Sequence, residues 1–233
     1  MEDRPLAPSD PLAASPPPPP FPPQEETFPW EQPGLGVFPA FARTLAMLAS
    51  TPRRAFERMP VTSAFGRPLV FAIVVGWIAV LAGTFWNLLL RGWVQELMPW
   101  AGGRWGELSA MARIAVAMTA PLWLPVGILV GACIAHLFLM LVGGAKRGFA
   151  ATFRVQCYAA APTLLAVIPA CGQLAGVVWS IVLAIIGLSA AHRITTGKAA
   201  LAVLLPLLLC CGCIALGAVL FGAAIFGALG RHG

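Results

Sequence analysis

Between Arg154 and Arg193 the chain runs for 38 positions without a formal charge, and that run limits the fold more than any other feature. One straight helix of that length, rising about 1.5 Å per residue, would be about 57 Å long against a bilayer hydrocarbon core of about 30 Å. The run must therefore fold back. The best turn in it is Ile168 to Gly172, "IPACG", where Pro169 lacks an amide and Gly172 tolerates unusual dihedrals. The spans on either side are expected at 155–169 and 172–191. Three more charge-poor stretches qualify by length: 68–90 between Arg67 and Arg91, 114–143 with Pro121 and Pro125 predicting an early kink, and 199–229 with Pro206 inside it. With 59% hydrophobic and only 10% charged residues, and a mean hydropathy of +0.83, the chain has too little polar surface to cover a soluble globule. The expected class is an all-α, polytopic integral membrane bundle of five transmembrane helices, residues 68–230.

The part before the bundle is of a different kind. Residues 1–37 hold "SPPPPPFPPQEE" and six acidic residues against the single Arg4, a composition expected to stay extended and disordered. The opening "MEDRPLAPSD" lacks the basic start and apolar core of a signal peptide. In 38–67, Phe41, Leu45 and Leu48 recur at helical spacing, and Thr51 with Pro52 offers an N-cap and first-turn pair. Short amphipathic helices on the membrane surface are expected there. Residues 91–113, with Trp93, Trp100 and Trp105, have the character of an interfacial loop. A cytoplasmic N-terminus puts eleven basic residues inside and leaves Arg91, Arg104, Arg113 and Arg231 outside, which is the orientation the positive-inside rule selects. Thirteen of the fifteen basic residues are arginine, in an Ala-, Gly- and Pro-rich background that suggests a GC-rich bacterial genome and hence a bacterial inner membrane.

The order of "LASTPRRAFERM", a first span, "LVGGAKRGFAATFRV", "CYAAAPTLLAVIP" and "VWSIVLAIIGLSAAHRITTGKAALAVLLP" resembles the bacterial branch of the Yip (Ypt-interacting protein) domain family, from about Phe38 to Leu229. The resemblance implies five helices, a cytosolic N-terminus and a role without catalysis in organising membrane partners. The family's signature of a tyrosine and, four residues on, a proline falls on Tyr158 and Pro162, with Cys157 where a glycine usually precedes the tyrosine. The second signature of the eukaryotic members, Asp-Leu-x-Gly-Pro, is missing, with "FGRPLVF" at 65–71 its nearest counterpart, so a GTPase partner is not carried over.

Chemistry read from the residues is sparse. No Asp or Glu follows Glu107, which leaves spans two to five without a carboxylate for proton relay, cation binding or acid–base work. No catalytic residue, cofactor or metal site is expected, and no nucleic-acid partner. His136 is the one ionisable side chain well inside a span, and a neutral imidazole hydrogen-bonded between helices is the expected reading. The "CCGC" at 210–213 lacks the spacing of a metal site and reads as small residues for close helix approach. Candidate packing positions are Gly127 with Gly131, Gly172 with Gly176, and Gly217, Gly222 and Gly227, serving either internal contacts or pairing with another chain. Arg154, Tyr158 and Pro162, at i, i+4 and i+8, share one face of span three and form the candidate partner-binding or kink feature. Expected partners are membrane lipids and other membrane proteins or a second copy. The competing function is a transporter or channel for a small uncharged solute, using carbonyls freed beside Pro121, Pro125, Pro162 and Pro206.

Overall fold

The computed structural model describes residues 28–61, 64–97, 109–169 and 171–229. The expectation for residues 1–27 lies outside them, as does 98–108 of the expected interfacial loop, while 91–97 and 110–113 of that loop are helical. Among the described residues the secondary structure is helical throughout: α1 Val37–Ser50, α2 Pro52–Glu57, α3 Gly66–Leu97, α4 Ala110–Met118, α5 Ala120–Leu141, α6 Gly148–Ala159, α7 Cys171–His192 and α8 Thr196–Leu229, with 3₁₀ segments at Pro29–Glu31 and Ala161–Val167. Four stretches are long and apolar enough to cross a membrane: Gly66–Leu90, Ala120–Leu141, Cys171–His192 and Thr196–Val219. Outward-facing Leu122 on α5 and Leu208 on α8, 77% and 68% exposed, are the surface such a bundle offers to lipid.

The turn expected at Pro169 is present. Ile168 leaves the 3₁₀ segment in an extended conformation, and α7 starts at Cys171. What precedes the turn differs from the expected span of 155–169 kinked at Pro162. The α-helix stops at Ala159, and Pro162 lies in the first turn of a 3₁₀ segment. A proline there keeps its fixed φ and gives up an amide that no helical turn would have used, so the break is a change of helix type rather than a bend. Together α6 and the 3₁₀ segment rise about 32 Å, from about 1.5 and 2.0 Å per residue. They run antiparallel to α7: a Cβ on Gly172 would meet Leu165, one on Gly176 would meet Pro162, and one on Gly187 would meet Val155.

The early break in the second predicted span also appears. α4 ends at Met118 and α5 begins at Ala120, with the Thr119 hydroxyl donating to the Ala115 carbonyl at 3.0 Å. The Ala117 carbonyl, which Pro121 cannot serve, instead accepts the Trp77 indole N–H at 3.1 Å. α2 is built into the bundle, with Ala55 and Phe56 buried, and Phe56 lies against Gly187 of α7. Pro52 starts α2 as expected, but the Thr51 hydroxyl makes no cap bond to it and sits 3.5 Å from the Met47 carbonyl.

One end of the bundle gathers cationic groups. Arg147 donates its backbone N–H to His192 Nδ1 at 3.2 Å and its guanidinium to the Ala191 carbonyl at 3.3 Å. Lys198 Nζ comes near Gly143, and a shallow cleft joins Arg53 and Arg54 to Ser189 and Thr196.

Candidate functional site

The residues singled out on span three meet an unexpected partner. Arg154 and Tyr158 both reach the carboxylate of Glu31, which lies in the segment assigned to the tail. Arg154 Nη2 is 2.5 Å from Glu31 Oε1, and the Tyr158 hydroxyl donates to the same oxygen. Arg154 also donates through Nη1 to the Ala64 carbonyl at 3.1 Å. The Arg154 side chain is 0% exposed and that of Glu31 11% exposed, so the pair is held away from water.

Aromatic contacts fix the segment that carries Glu31. Phe28 stacks on Tyr158 with ring centroids 3.9 Å apart, and its edge meets Phe56 at 6.0 Å. Trp30 packs against Phe41 and Phe71, its backbone N–H donates to Thr44 Oγ1 at 2.9 Å, and its indole N–H donates to the Arg67 carbonyl at 2.8 Å. Arg67 in turn donates to the Glu31 carbonyl. A run of four residues, Phe28 to Glu31, therefore clamps α1, α3 and α6 together. The Trp30 amide and indole and the Glu31 carbonyl and carboxylate all find partners, as burial demands. The tail assignment reached to residue 37, whereas the chain is packed from Phe28 onward, with Phe28 and Pro29 buried. The local signal was the aromatic pair in "FPWE", out of place in a stretch otherwise rich in proline and acid.

Pro162 does not join this cluster. It is buried, and its carbonyl faces Gly176. The expected face of three residues reduces to Arg154 and Tyr158, because the helix that would have carried the third ends at Ala159.

The glycines divide. At Gly172 a Cβ would stand 2.0 Å from the Leu165 carbonyl oxygen, and at Gly176 one would stand 2.7 Å from that of Pro162, so both allow close backbone approach. Gly131 faces the Gln156 amide at an ordinary 3.7 Å, while nothing lies within 4 Å at Gly127 or Gly217. Those last two make no internal contact, because four-residue spacing marks a stripe without saying which way it points. Gly222 and Gly227 belong to the part of α8 whose side chains are not described. Gly187, close to both Val155 and Phe56, is a further close approach that the sequence reading did not single out.

His136 has the interhelical partner expected of it. Its Nδ1 lies 2.9 Å from Thr152 Oγ1, which lies 3.0 Å from His192 Nε2. The Arg147 amide occupies His192 Nδ1 as a donor, so in the neutral ring Nε2 carries the proton and donates to Thr152. The hydroxyl then donates onward to His136, and the chain ties α5, α6 and α7 by one consistent direction. Cys210, Cys211 and Cys213 are exposed on α8, and among the described residues no three His, Cys, Asp or Glu side chains are grouped to hold a metal.

Comparison with known proteins bears on this architecture at one point. No curated protein and no solved structure matches the chain. The family model of the Yip1 domain matches residues 45–227, from the middle of α1 to the end of α8. That interval takes in every candidate span and both residues that grip Glu31, and it covers most of the molecule: the chain belongs to the Yip1 domain family.

Proposed function

We propose that the protein is a non-enzymatic scaffold or adaptor of a bacterial inner membrane. In this reading it crosses the membrane five times, with α6 and the 3₁₀ segment as the third crossing and the N-terminal side in the cytoplasm. The gathering of Arg53, Arg54, Arg147 and Lys198 at one end supports that orientation. One observation carries the adaptor role: Phe28 to Glu31 lock α1 and α2 onto the end of the bundle and so present them as a fixed platform. α1 buries Ala40, Thr44 and Leu48 but leaves Phe38 87% exposed, an aromatic anchor of the kind that dominates protein interfaces. The partners are other membrane proteins or a second copy of the chain.

Solute passage has less support, because two of the four prolines on which it rested leave no carbonyl open for a solute. Pro162 lies in the first turn of the 3₁₀ segment, and Trp77 serves the carbonyl that Pro121 leaves.

Pull-down from gently solubilised membranes tests the adaptor reading. Removing residues 1–27 should retain the partners, and Tyr158→Phe or Phe38→Ala, inserted at normal levels, should lose the same set. Retention of every partner by both substitutions would reduce this end to internal packing. Proton- or sodium-driven uptake into reconstituted vesicles would favour the transporter.

A further inference from the structure

Away from the clamp, the bundle holds a cavity of about 520 Å³ walled by α5, α6, α7 and α8. That volume falls within the roughly 300–1,000 Å³ of small-molecule sites. Most of its wall is apolar, from residues such as Ile128, Ile181 and Val203, and no charged side chain lines it. Its rim includes Ile134, Val177 and Leu207, which are 42%, 46% and 43% exposed on the outward faces of three candidate spans. The opening therefore faces the bilayer, and a ligand enters from lipid.

The polar side chains among the apolar ones are those of Gln156, Thr163 and Ser180. Ser180 Oγ is buried and has no hydrogen-bond partner among the described residues. With no accessible surface of its own, that hydroxyl is covered, and Ser180 lines the cavity with its other atoms; the Thr163 hydroxyl, also on the wall, donates to the Ala160 carbonyl at 2.8 Å. Gln156, on α6, presents an amide that both donates and accepts. Donors and acceptors are mixed, with no cation to hold an anion and no carboxylate to hold a cation.

We propose that this cavity binds a neutral lipid-type amphiphile: an apolar chain among Ile128, Ile181 and Val203, and an uncharged hydroxyl, ester or amide group at the Gln156 amide. An anionic head is disfavoured because its charge would be buried without a counter-charge. The inference is independent of the adaptor reading, since the clamp residues take no part in the cavity.

Gly131 supplies the decisive variant. A Cβ there would meet only the Gln156 amide, at 3.7 Å, so Gly131→Leu puts its side chain into the cavity without striking backbone. Replacing a mid-helix glycine also favours the helix. The purified full chain in detergent is titrated with monoolein, and with oleate as its anionic counterpart, and followed by native mass spectrometry. The expected result is one saturable monoolein per chain, weakened at least tenfold by Gly131→Leu and by Gln156→Leu, with oleate at least tenfold weaker than monoolein. Val177→Trp, at the rim, gives the same reading should Gly131→Leu fail to fold. Equal monoolein binding by the folded filled variant, or oleate binding as tightly as monoolein, overturns the proposal.

Discussion

Glu31 and Arg154 form a pair in which neither residue tolerates the loss of the other. The arginine is fully enclosed, so removing the carboxylate takes a counter-charge away from a buried cation, a change that costs about 3–5 kcal/mol when such pairs are broken on one side. Glu31→Gln should therefore lower stability by about that much in denaturant titrations of the detergent-solubilised protein. Adding Arg154→Met, which removes the stranded charge at similar volume, should restore most of the loss. A double variant no more stable than Glu31→Gln would mean that the arginine is solvated and the pair contributes little. Tyr158→Phe keeps the ring stacked on Phe28 but forfeits a bond to a charged acceptor, so it too should be destabilising. Sequence reading found two of these three residues, as a shared helix face. It missed the third because spacing arguments reach a few residues along a helix, whereas Glu31 lies 123 positions from Arg154.

Among the elements, the junction of α7 with the 3₁₀ segment is the tightest. Gly176→Ala places a methyl 2.7 Å from the Pro162 carbonyl oxygen, where backbone and not a flexible side chain must give way. Overpacking of this kind costs about 1–3 kcal/mol, more than the helix preference of alanine returns. Gly217→Ala, with nothing within 4 Å, should be neutral or stabilising by up to about 1 kcal/mol. Melting in detergent separates the two, and equal melting temperatures would show that the contact at Gly176 is loose. The turn at Pro169 was legible because span length forced a reversal somewhere and only one proline–glycine pair sat near the middle of the run. The switch of helix type at Pro162 was not legible. A proline in an apolar run reads equally as a kink, a cap or a stop, and the packing of Gly176 against the 3₁₀ backbone decides among them.

At the scale of the molecule, the fivefold crossing proposed here has a direct test. Gly172 is unsuitable for a reporter cysteine, since its Cβ would collide with the Leu165 carbonyl. Ile168, 51% exposed at the turn, is the better position. In a background without native cysteines, Ile168→Cys should react with a membrane-impermeant thiol reagent from outside intact cells, and Gly197→Cys only after permeabilisation. Labelling of both from the same side would remove the crossing by α6 and the 3₁₀ segment. The all-helical membrane class followed from composition and charge-free length alone. The cavity did not, because it forms where four helices fail to meet, and no single stretch of sequence records that.

The clamp also sets an order of events during synthesis. Glu31 leaves the ribosome 123 residues ahead of the arginine that holds it, and Phe28 leaves 130 ahead of the tyrosine on which it stacks. Until α6 has been made and placed, those four N-terminal residues have no seat, and they stay within reach of chaperones and proteases. A closed clamp is thus a certificate of completion: only a chain whose α6 is in position can bury Phe28 and the Glu31 carboxylate.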